Sequence, residues 1–317
     1  MASYRAYQNR DVPDPAREVF ERNLTGLQQI TLDYIPAPAS LQPFLTTLYY
    51  FRSDEREIRD LQPASVGSLI VFLRGKGKMH FPGGQSDPSF PESLITPTSA
   101  AVPFEVDGPF HCVGCSLSPL GWAALTGQPA NAHGDRMLDA RDWLGPEIRT
   151  LGKSLRADYE EGTASPAEMC GRIAQYLGER LGPVNPRHVE LMRRITEWLS
   201  SSFDPSLADL LREVSYSERQ IQRLVERYYG VSPKQLVRKY RALRVAAMLQ
   251  DPRTSDEKVA ELLNLFYDQS HLIREIRLFA GRTPARLGDA ENPILDALLD
   301  SRNFREITPN VARLPGD

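Results

Sequence analysis

Two short segments of the sequence place arginine, glutamine and serine side chains at helical spacing, together with one isoleucine. These residues are Arg219, Gln222, Arg223 and Arg227 in the first segment, and Gln269, Ser270, Ile273, Arg274 and Arg277 in the second. Arginine and glutamine make paired hydrogen bonds to base edges, and arginine also binds phosphate. A helix that carries them fits the major groove of DNA. Because a solvated helix face has a similar composition, the neighbouring elements must decide between the two interpretations.

The two segments are copies of one unit, offset by 51 residues. Each copy begins at a good N-cap, Ser217 or Asp268, and ends at a glycine, Gly230 or Gly281. The apolar residues on the inner face are Ile221, Leu224, Val225 and Tyr228 in the first copy, and Leu272, Ile276 and Phe279 in the second. A duplicated helix preceded by a short capped helix is typical of helix-turn-helix domains. We therefore predict that the nine outward residues contact DNA.

The stretch between the copies predicts one unbroken helix over residues 233–249, because it lacks glycine and is rich in strong helix formers. At 1.5 Å per residue this helix is roughly 25 Å long. Such a rod could hold the two recognition helices on one side of a duplex, about one helical turn, or roughly 34 Å, apart.

The region from about Arg187 to Leu287 resembles the AraC/XylS family of transcriptional regulators. The matching residues are Ser206-Leu207, Ser217, Ile221 to Leu224, Tyr229 to Pro233, Arg241, Asp268 to His271, Arg274 and Phe279 to Pro284. The resemblance covers about a third of the chain, and both halves match in order. It implies an all-α domain of two lobes and seven helices, with recognition helices near residues 217–229 and 268–280.

Four positions depart from the pattern of that family. Ser215 and Leu265 stand where glycine usually occupies the turn before each recognition helix, and Leu211 and Glu261 stand where alanine is usual. Glycine permits a left-handed backbone and alanine permits close helix packing, so we expect a shifted turn or a looser lobe. In the second lobe, a register shifted by one residue would put Ala260 at the small position.

We expect the first lobe to dominate base specificity, because Ile273 stands where the first lobe has Gln222. Isoleucine can contact a thymine methyl group but makes no hydrogen bond. The second lobe would then contribute mainly phosphate contacts through Arg274, Arg277 and Arg282.

The charge of the chain is divided unevenly. Residues 187–287 carry 18 Lys/Arg and 13 Asp/Glu, a net charge of +5, whereas the rest carries 20 and 28, a net charge of −8. A basic module joined to an acidic one fits a DNA-binding domain attached to a domain that does not bind DNA.

The N-terminal half predicts short strands between about residues 28 and 118. The seven predicted strands are Ile30 to Ile35, Leu45 to Arg52, Ser68 to Leu73, Lys78 to Phe81, Ser93 to Thr96, Ala100 to Val106 and Phe110 to Leu117. Their spacing favours an antiparallel barrel or sandwich, and with the following helices the fold class is α+β. The family resemblance implies a cupin-like sensor domain here, with a small-molecule effector. The aromatic residues of this region could line its pocket, although an ordinary core uses the same residues.

The sequence contains few features of a catalytic or metal-binding site. The five histidines form no His-x-His pair, no Gly-x-Ser-x-Gly motif is present, and no second Cys-x-x-Cys accompanies Cys112 and Cys115. On a strand these two cysteines point to opposite faces. We therefore predict no catalytic residue, no metal and no cofactor, and interpret Cys112, Cys115 and Cys170 as core residues.

Three regions follow from these patterns: a sensor and dimerisation domain at residues 1–184, with helices at about 119–181, a DNA-binding domain at 185–288, and a tail at 289–317. Residues 1 to about 25 predict a short helix or an arm, and Pro293 to Leu299 a short helix in the tail. Residues Met169, Ile173, Tyr176, Leu177 and Leu181 recur at helical spacing, and we expect this stripe to pack on a core. The alternative comes from the family resemblance, in which the helices after the barrel often form a homodimer interface.

The prediction is a cytoplasmic DNA-binding transcription regulator. Its expected partners are double-stranded DNA, RNA polymerase, a small-molecule effector and a second copy of the chain. Its few cysteines, the lack of a signal-like N-terminus and the lack of an apolar run of about 18 residues predict a soluble protein without a membrane segment. Two alternatives stay open: an interaction protein with weakened DNA binding, and a cupin-type enzyme.

Overall fold

An antiparallel sheet forms the first half of the chain and helices form the second half. The computed structural model describes residues 20, 24–25, 30–287, 294 and 298–299. The strands are β1 (Thr31–Ile35), β2 (Leu45–Ser53), β3 (Glu57–Gln62), β4 (Gly67–His80), β5 (Ser86–Pro88), β6 (Glu92–Ile95), β7 (Val102–Leu117) and β8 (Met137–Asp139). The helices are α1 (Pro119–Thr126), α2 (Ala130–His133), α3 (Arg141–Leu144), α4 (Glu147–Glu161), α5 (Pro166–Gly178), α6 (Pro186–Ser201), α7 (Leu207–Glu213), α8 (Glu218–Tyr229), α9 (Pro233–Gln250), α10 (Asp256–Leu263) and α11 (Gln269–Ala280).

The long strand β7 organises the sheet. One edge of β7 pairs with β3 over its first half and with β2 over its second half. The other edge pairs with β4, which in turn pairs with β6 and β5 near its two ends. Strand β1 lies outside β2, and β8 lies outside β6. All these pairs are antiparallel, as predicted for this half of the chain.

The sheet curls around an apolar interior. Leu32 on β1 and Met137 on β8 come from opposite ends of the strand order, yet they line the same cavity. Alternating side chains divide between this inner cluster and a second cluster under the helices, because successive residues of a strand point to opposite faces. Cys112 lies in the inner cluster and Cys115 in the other, which confirms that the two thiols are on opposite faces.

The predicted strand boundaries were wrong at several places. Most of the predicted strands Ser68 to Leu73 and Lys78 to Phe81 belongs to the single strand β4, which ends at His80. Most of the last two predicted strands belongs to β7, which begins at Val102. The β4–β7 ladder is irregular at Gly108-Pro109, since Arg74 pairs with His111 and Lys76 with Asp107, and pairing resumes on either side of this point. The short strands β5 and β8 and the charged strand β3 were missed, because none has an apolar run.

Helices α1 to α5 cover the outer face of the sheet. The stripe Met169, Ile173 and Leu177 on α5 is buried in the cluster shared with β2 and β7. Core packing therefore accounts for this stripe, and the alternative that it forms a dimer interface is wrong. Within the described part of the chain, no helix has both the length and the apolar character that a membrane crossing requires.

Helices α6 to α11 share one large apolar cluster, and the predicted rod is α9. The turns before the recognition helices form without glycine. Among the described residues, Asp135 is the only one other than glycine with a positive φ, so Ser215 and Leu265 hold ordinary backbone conformations. Ala260 and Glu261 are both exposed, so neither packs at a helix contact, and the predicted register shift is wrong.

The two ends of the chain bear on two further predictions. Most of the N-terminal segment predicted as a helix or an arm lies outside the described residues. In the tail, Ile294 and Leu298 are helical, and the other residues of the predicted helix apart from Leu299 lie outside the described range.

Candidate nucleic-acid interface

The first recognition helix, α8, presents a polar face. Ser217 caps its N-terminus, with its hydroxyl accepting the Gln220 backbone N–H and the Gln220 side chain bonding back to the Ser217 N–H. This reciprocal cap fixes the first turn, from which base contacts are made in helix-turn-helix domains. The predicted contact residues that are exposed on this helix are Arg219, Gln222, Arg223 and Arg227.

The second recognition helix, α11, presents a narrower polar face. Asp268 caps it by accepting the His271 backbone N–H at 2.7 Å. Gln269 and Arg274 are exposed and Ser270 is half-buried, in agreement with the predicted outward face. The position of Arg274 repeats that of Arg223 at the offset of 51 residues.

Ile273 and Arg277 do not point outward, and that prediction was wrong. Ile273 is 5% exposed and Arg277 is 7% exposed. The reason is that α11 is covered on more than one side, with seven of its twelve residues buried against five of twelve in α8. Helical periodicity predicts a helix packed on one partner. Besides α9, the strands with helices α1 to α5, called here the sheet domain, contact the last turn of α11.

Ion pairs with α9 orient α11. Arg238 on α9 donates to both carboxylate oxygens of Glu275, at 3.0 and 2.5 Å, and Glu275 is almost fully buried. Arg241, also on α9, pairs with Asp204 at 2.9 Å and lies 3.9 Å from Glu275. A bidentate arginine pair is geometrically specific, so these contacts fix the angle between the two helices.

The C-terminal turn of α11 is bonded to the sheet domain. The last carbonyls of a helix have no partner within the helix. Here the carbonyl of Phe279 accepts the Ala64 N–H at 2.8 Å, and the carbonyl of Leu278 accepts the Ala101 N–H at 2.8 Å. Backbone groups of the sheet domain therefore satisfy the end of the second recognition helix.

Two buried charges lie in the same contact. Arg282, just after α11, donates to the carboxylate of Asp60 on β3, and both side chains are almost fully buried. Burial raises the pKa of Asp60, and the positive charge of Arg282 opposes this shift. Lys239 on α9 donates to the carbonyls of Ser65 and Thr98, at 2.8 and 3.0 Å. Arg282 is 1% exposed, so its guanidinium group cannot reach a DNA phosphate while the two domains are packed as described. The predicted phosphate contact of Arg282 is therefore wrong.

Close packing accompanies these bonds. Gly281 has a φ of +89°, and a side-chain carbon there would lie 3.0 Å from Leu61 and 3.3 Å from Ala101. A glycine is required at this position both by the left-handed backbone that ends the helix and by the approach of the sheet domain.

A groove borders the polar face of α8. Arg223 and Arg227 line it together with His188 on α6 and with Gln128 in the loop after α1. His188 Nδ1 lies 2.7 Å from the hydroxyl of Tyr228. Burial lowers the pKa of His188, and the charges of Arg227 and Arg223 lower it further.

The potentially reactive groups of the sheet domain have structural surroundings. The three cysteines are buried as free thiols, and burial raises the pKa of Cys115 and of Cys170 to about 12. Such thiols are poor nucleophiles. His111 has its Nε2 2.8 Å from Asp54 and its Nδ1 2.6 Å from the Tyr159 hydroxyl. The described residues contain no group of three or more His, Cys, Asp or Glu side chains arranged to hold a metal ion.

Tyr267 is a candidate that sequence reasoning missed. It directly precedes Asp268, the cap of α11, and is 93% exposed. The last buried apolar residue before it is Phe266. A tyrosine next to a capped recognition helix could contact a phosphate or a sugar. Its place immediately before an N-cap was the available signal.

One comparison with known protein families agrees with this geometry. A family model described as a helix-turn-helix domain matches residues 210–289. No curated protein matches the chain.

The solved structures that match this chain have low sequence identity to it and low TM-scores. ToxT from Vibrio cholerae O395 has a TM-score of 0.43 and 11% identity, over 82% of this chain and 97% of ToxT. Unsaturated fatty acid bound ToxT from Vibrio cholerae strain SCE256 has a TM-score of 0.39 and 10% identity, over 85% and 96%. The AraC-like transcriptional activator CuxR has a TM-score of 0.29 and 12% identity, over 68% and 86%.

At these TM-scores the likeness transfers no residue roles. The matched domain, the two capped and repeated helices and the rod between them lead to one assignment. The C-terminal part of this chain contains a helix-turn-helix domain.

Proposed function

We propose that this chain is a sequence-specific transcription regulator in which α8 and α11 enter successive major grooves of one duplex. The observation that carries the proposal is the repeat itself: Arg223 and Arg274 are exposed at equivalent positions of two capped helices. Arginine reads guanine through two hydrogen bonds in the major groove. Arg219, Gln222 and Arg227 in the first lobe, and Gln269 and Ser270 in the second, would flank these contacts.

The sheet domain would modulate DNA binding through α11. Its backbone groups at Ala64 and Ala101 bond to the last turn of that helix, and its Asp60 pairs with Arg282. The helix α8 is held differently, because its neighbours in the sheet domain are α1 and α2. A change in the sheet that moved β3 would therefore shift α11 relative to α8, and the spacing of the two half-sites would no longer match.

A small molecule could produce such a change. The curled sheet encloses a cavity of about 170 Å³ with mainly apolar walls, and the last residue of β3 and the four residues after it, 62–66, line this cavity. Ala64 lies both in this wall and in the bond to α11. The effector site and the recognition helix would thus share a short segment of chain.

The remaining partners stay predictions of the family resemblance. We expect a cytoplasmic homodimer that contacts RNA polymerase, and a domain boundary near residue 184. The buried stripe on α5 excludes that surface from the dimer, so a different face would have to serve. Sedimentation velocity of the full chain over a range of concentrations would test the dimer.

Selection of binding sites tests the proposal. Random duplexes would be enriched on the full chain, and the preferred site would then be footprinted with hydroxyl radicals. We expect two protected regions about one helical turn apart on one face of the duplex. The double variant Arg223→Ala and Arg274→Ala should enrich no common sequence. Enrichment of the same sequence by this variant, or no enrichment by the natural chain, would favour the alternative of a partner-binding protein with weakened DNA binding.

A further inference from the structure

Two residues of the C-terminal tail lie inside the curled sheet. Ile294 is 4% exposed and belongs to the inner apolar cluster with Phe51, Phe104 and Met137. Leu298, one helical turn later, packs against the same cluster, and both residues are helical. Residues four apart on a helix lie on the same face. Ile294 and Leu298 therefore form one apolar face toward the sheet interior, although they follow the DNA-binding domain in the chain.

The next tail residue contacts the other core. Leu299 is fully buried in the apolar cluster that helices α6 to α11 share, whereas Ile294 and Leu298 line the sheet cavity. These three residues, divided between the two cores, therefore contact both the sheet domain and the DNA-binding domain.

The cavity has an unmet polar requirement. Ser68 on β4 lines the cavity, and its hydroxyl is buried without a hydrogen-bond partner among the described residues. A buried hydroxyl left without a partner is costly and points to an occupant that can bond to it. The described tail residues that line this cavity, Ile294 and Leu298, are aliphatic, so neither side chain can bond to Ser68.

We propose that Ile294 and Leu298 form an intrachain plug of the sheet cavity, and that an apolar ligand bearing one hydroxyl or carbonyl group displaces this plug. The ligand would fill the space of Ile294 and Leu298 and bond to Ser68. A cavity of about 170 Å³ is close to the size that takes benzene, so displacement of two branched side chains makes room for a larger molecule.

Displacement of the plug would also withdraw Leu299 from the helical core and loosen the contact between the domains. The consequence for DNA binding rests on the proposed function, whereas competition for the cavity does not. The apparent affinity of a ligand falls with the fraction of molecules in which its site is open. Weakening the plug must therefore strengthen ligand binding, and ligand binding must weaken the plug.

The plug is tested with N-phenyl-1-naphthylamine, a neutral apolar dye that fluoresces in apolar sites. The full chain with Ile294→Asp and Leu298→Asp, called here the tail variant, should bind the dye about tenfold more tightly than the natural chain. Ile70 lines the cavity, and adding Ile70→Trp to the tail variant should abolish the gain. Equal affinity of the natural chain and the tail variant would overturn the proposal. A gain that persists with Ile70→Trp would do so as well, because the dye would then bind elsewhere or to unfolded chain.

A peptide supplied separately gives the matched control. A peptide with the sequence of residues 288–303 should displace the dye from the tail variant, and the same peptide with both aspartate substitutions should not. The plug would be contradicted if both peptides displaced the dye equally, or if neither peptide displaced it.

DNA binding separates this inference from the proposed function. On the selected site, the tail variant should differ from the natural chain by at least about fivefold in affinity, the lower end of the usual coupling between two sites. Unchanged affinity would overturn the coupling. If the natural chain bound no DNA at all, the proposed function would fail while the dye result stood.

Discussion

Asp60 on β3 and Arg282 after α11 form an ion pair buried between the sheet domain and the DNA-binding domain. Only one guanidinium nitrogen reaches the carboxylate, and Arg282 Nε is buried without a partner among the described residues. A buried pair with incomplete hydrogen bonding adds little net stability, since the loss of hydration offsets the attraction. We infer that this pair specifies how the two domains meet.

The first prediction concerns that pair. Asp60→Asn leaves the positive charge of Arg282 buried without a counter-charge, so the free energy of unfolding should fall by about 3–5 kcal/mol. Asp60→Leu combined with Arg282→Met should lose much less, because no charge stays buried. Urea unfolding of the three proteins measures both effects. A double variant as unstable as Asp60→Asn would contradict this account of the pair.

The second prediction concerns pH. Burial lowers the pKa of His111 below its usual value, and the nearby Asp54 only partly opposes the shift. The unfolded chain then binds a proton at His111 more readily than the folded chain. The stability that neutral His111 provides is complete above the unfolded pKa of about 6.5 and is lost as pH falls below it.

Urea midpoints at about pH 7.5 and about pH 5.5 measure this loss, since the window brackets the unfolded pKa. The natural chain should lose more between these values than His111→Gln, whose side chain does not titrate. Equal losses in the two proteins would show that His111 does not carry the dependence.

Local signals predicted the helical half of the chain well. The caps at Ser217 and Asp268 and the glycines that end the helices act within a few residues, so they can be read from the sequence. The long strands β4 and β7 were less predictable, because each extends past a register irregularity near Gly108-Pro109 by pairing on both sides with strands distant in sequence.

The candidate site divides in the same way. Six predicted residues, from Arg219 to Arg227 on α8 and Gln269 and Arg274 on α11, are exposed, and Ser270 is half-buried. Ile273 and Arg277 are buried on a helix that also contacts the sheet domain, and no pattern within α11 reports that contact. The Asp60–Arg282 pair spans 222 residues and was likewise beyond local reasoning.

The third prediction compares the two lobes. Helix α8 exposes Arg219, Gln222 and Arg223, whereas the position of Gln222 is taken in α11 by the buried Ile273. The first lobe should therefore carry most of the base specificity. Each half of the selected site would be randomised in turn, and affinities compared at one salt concentration. An equal or greater loss from the half under α11 would refute the prediction.

The most direct test measures the affinity of the full chain for its selected site after substitution of one arginine in each recognition helix. Arg223→Ala and Arg274→Ala should each weaken binding roughly 5- to 150-fold, the cost of losing a paired contact with guanine, and should relax the preference at one base pair. Arg253→Ala, in the loop between α9 and α10, is the matched control and should change affinity by less than about twofold, since it removes the same charge away from both helices. Fluorescence anisotropy of a labelled duplex at fixed salt gives all four values. Affinities for Arg223→Ala and Arg274→Ala equal to that of the natural chain would contradict the account that these two helices read DNA.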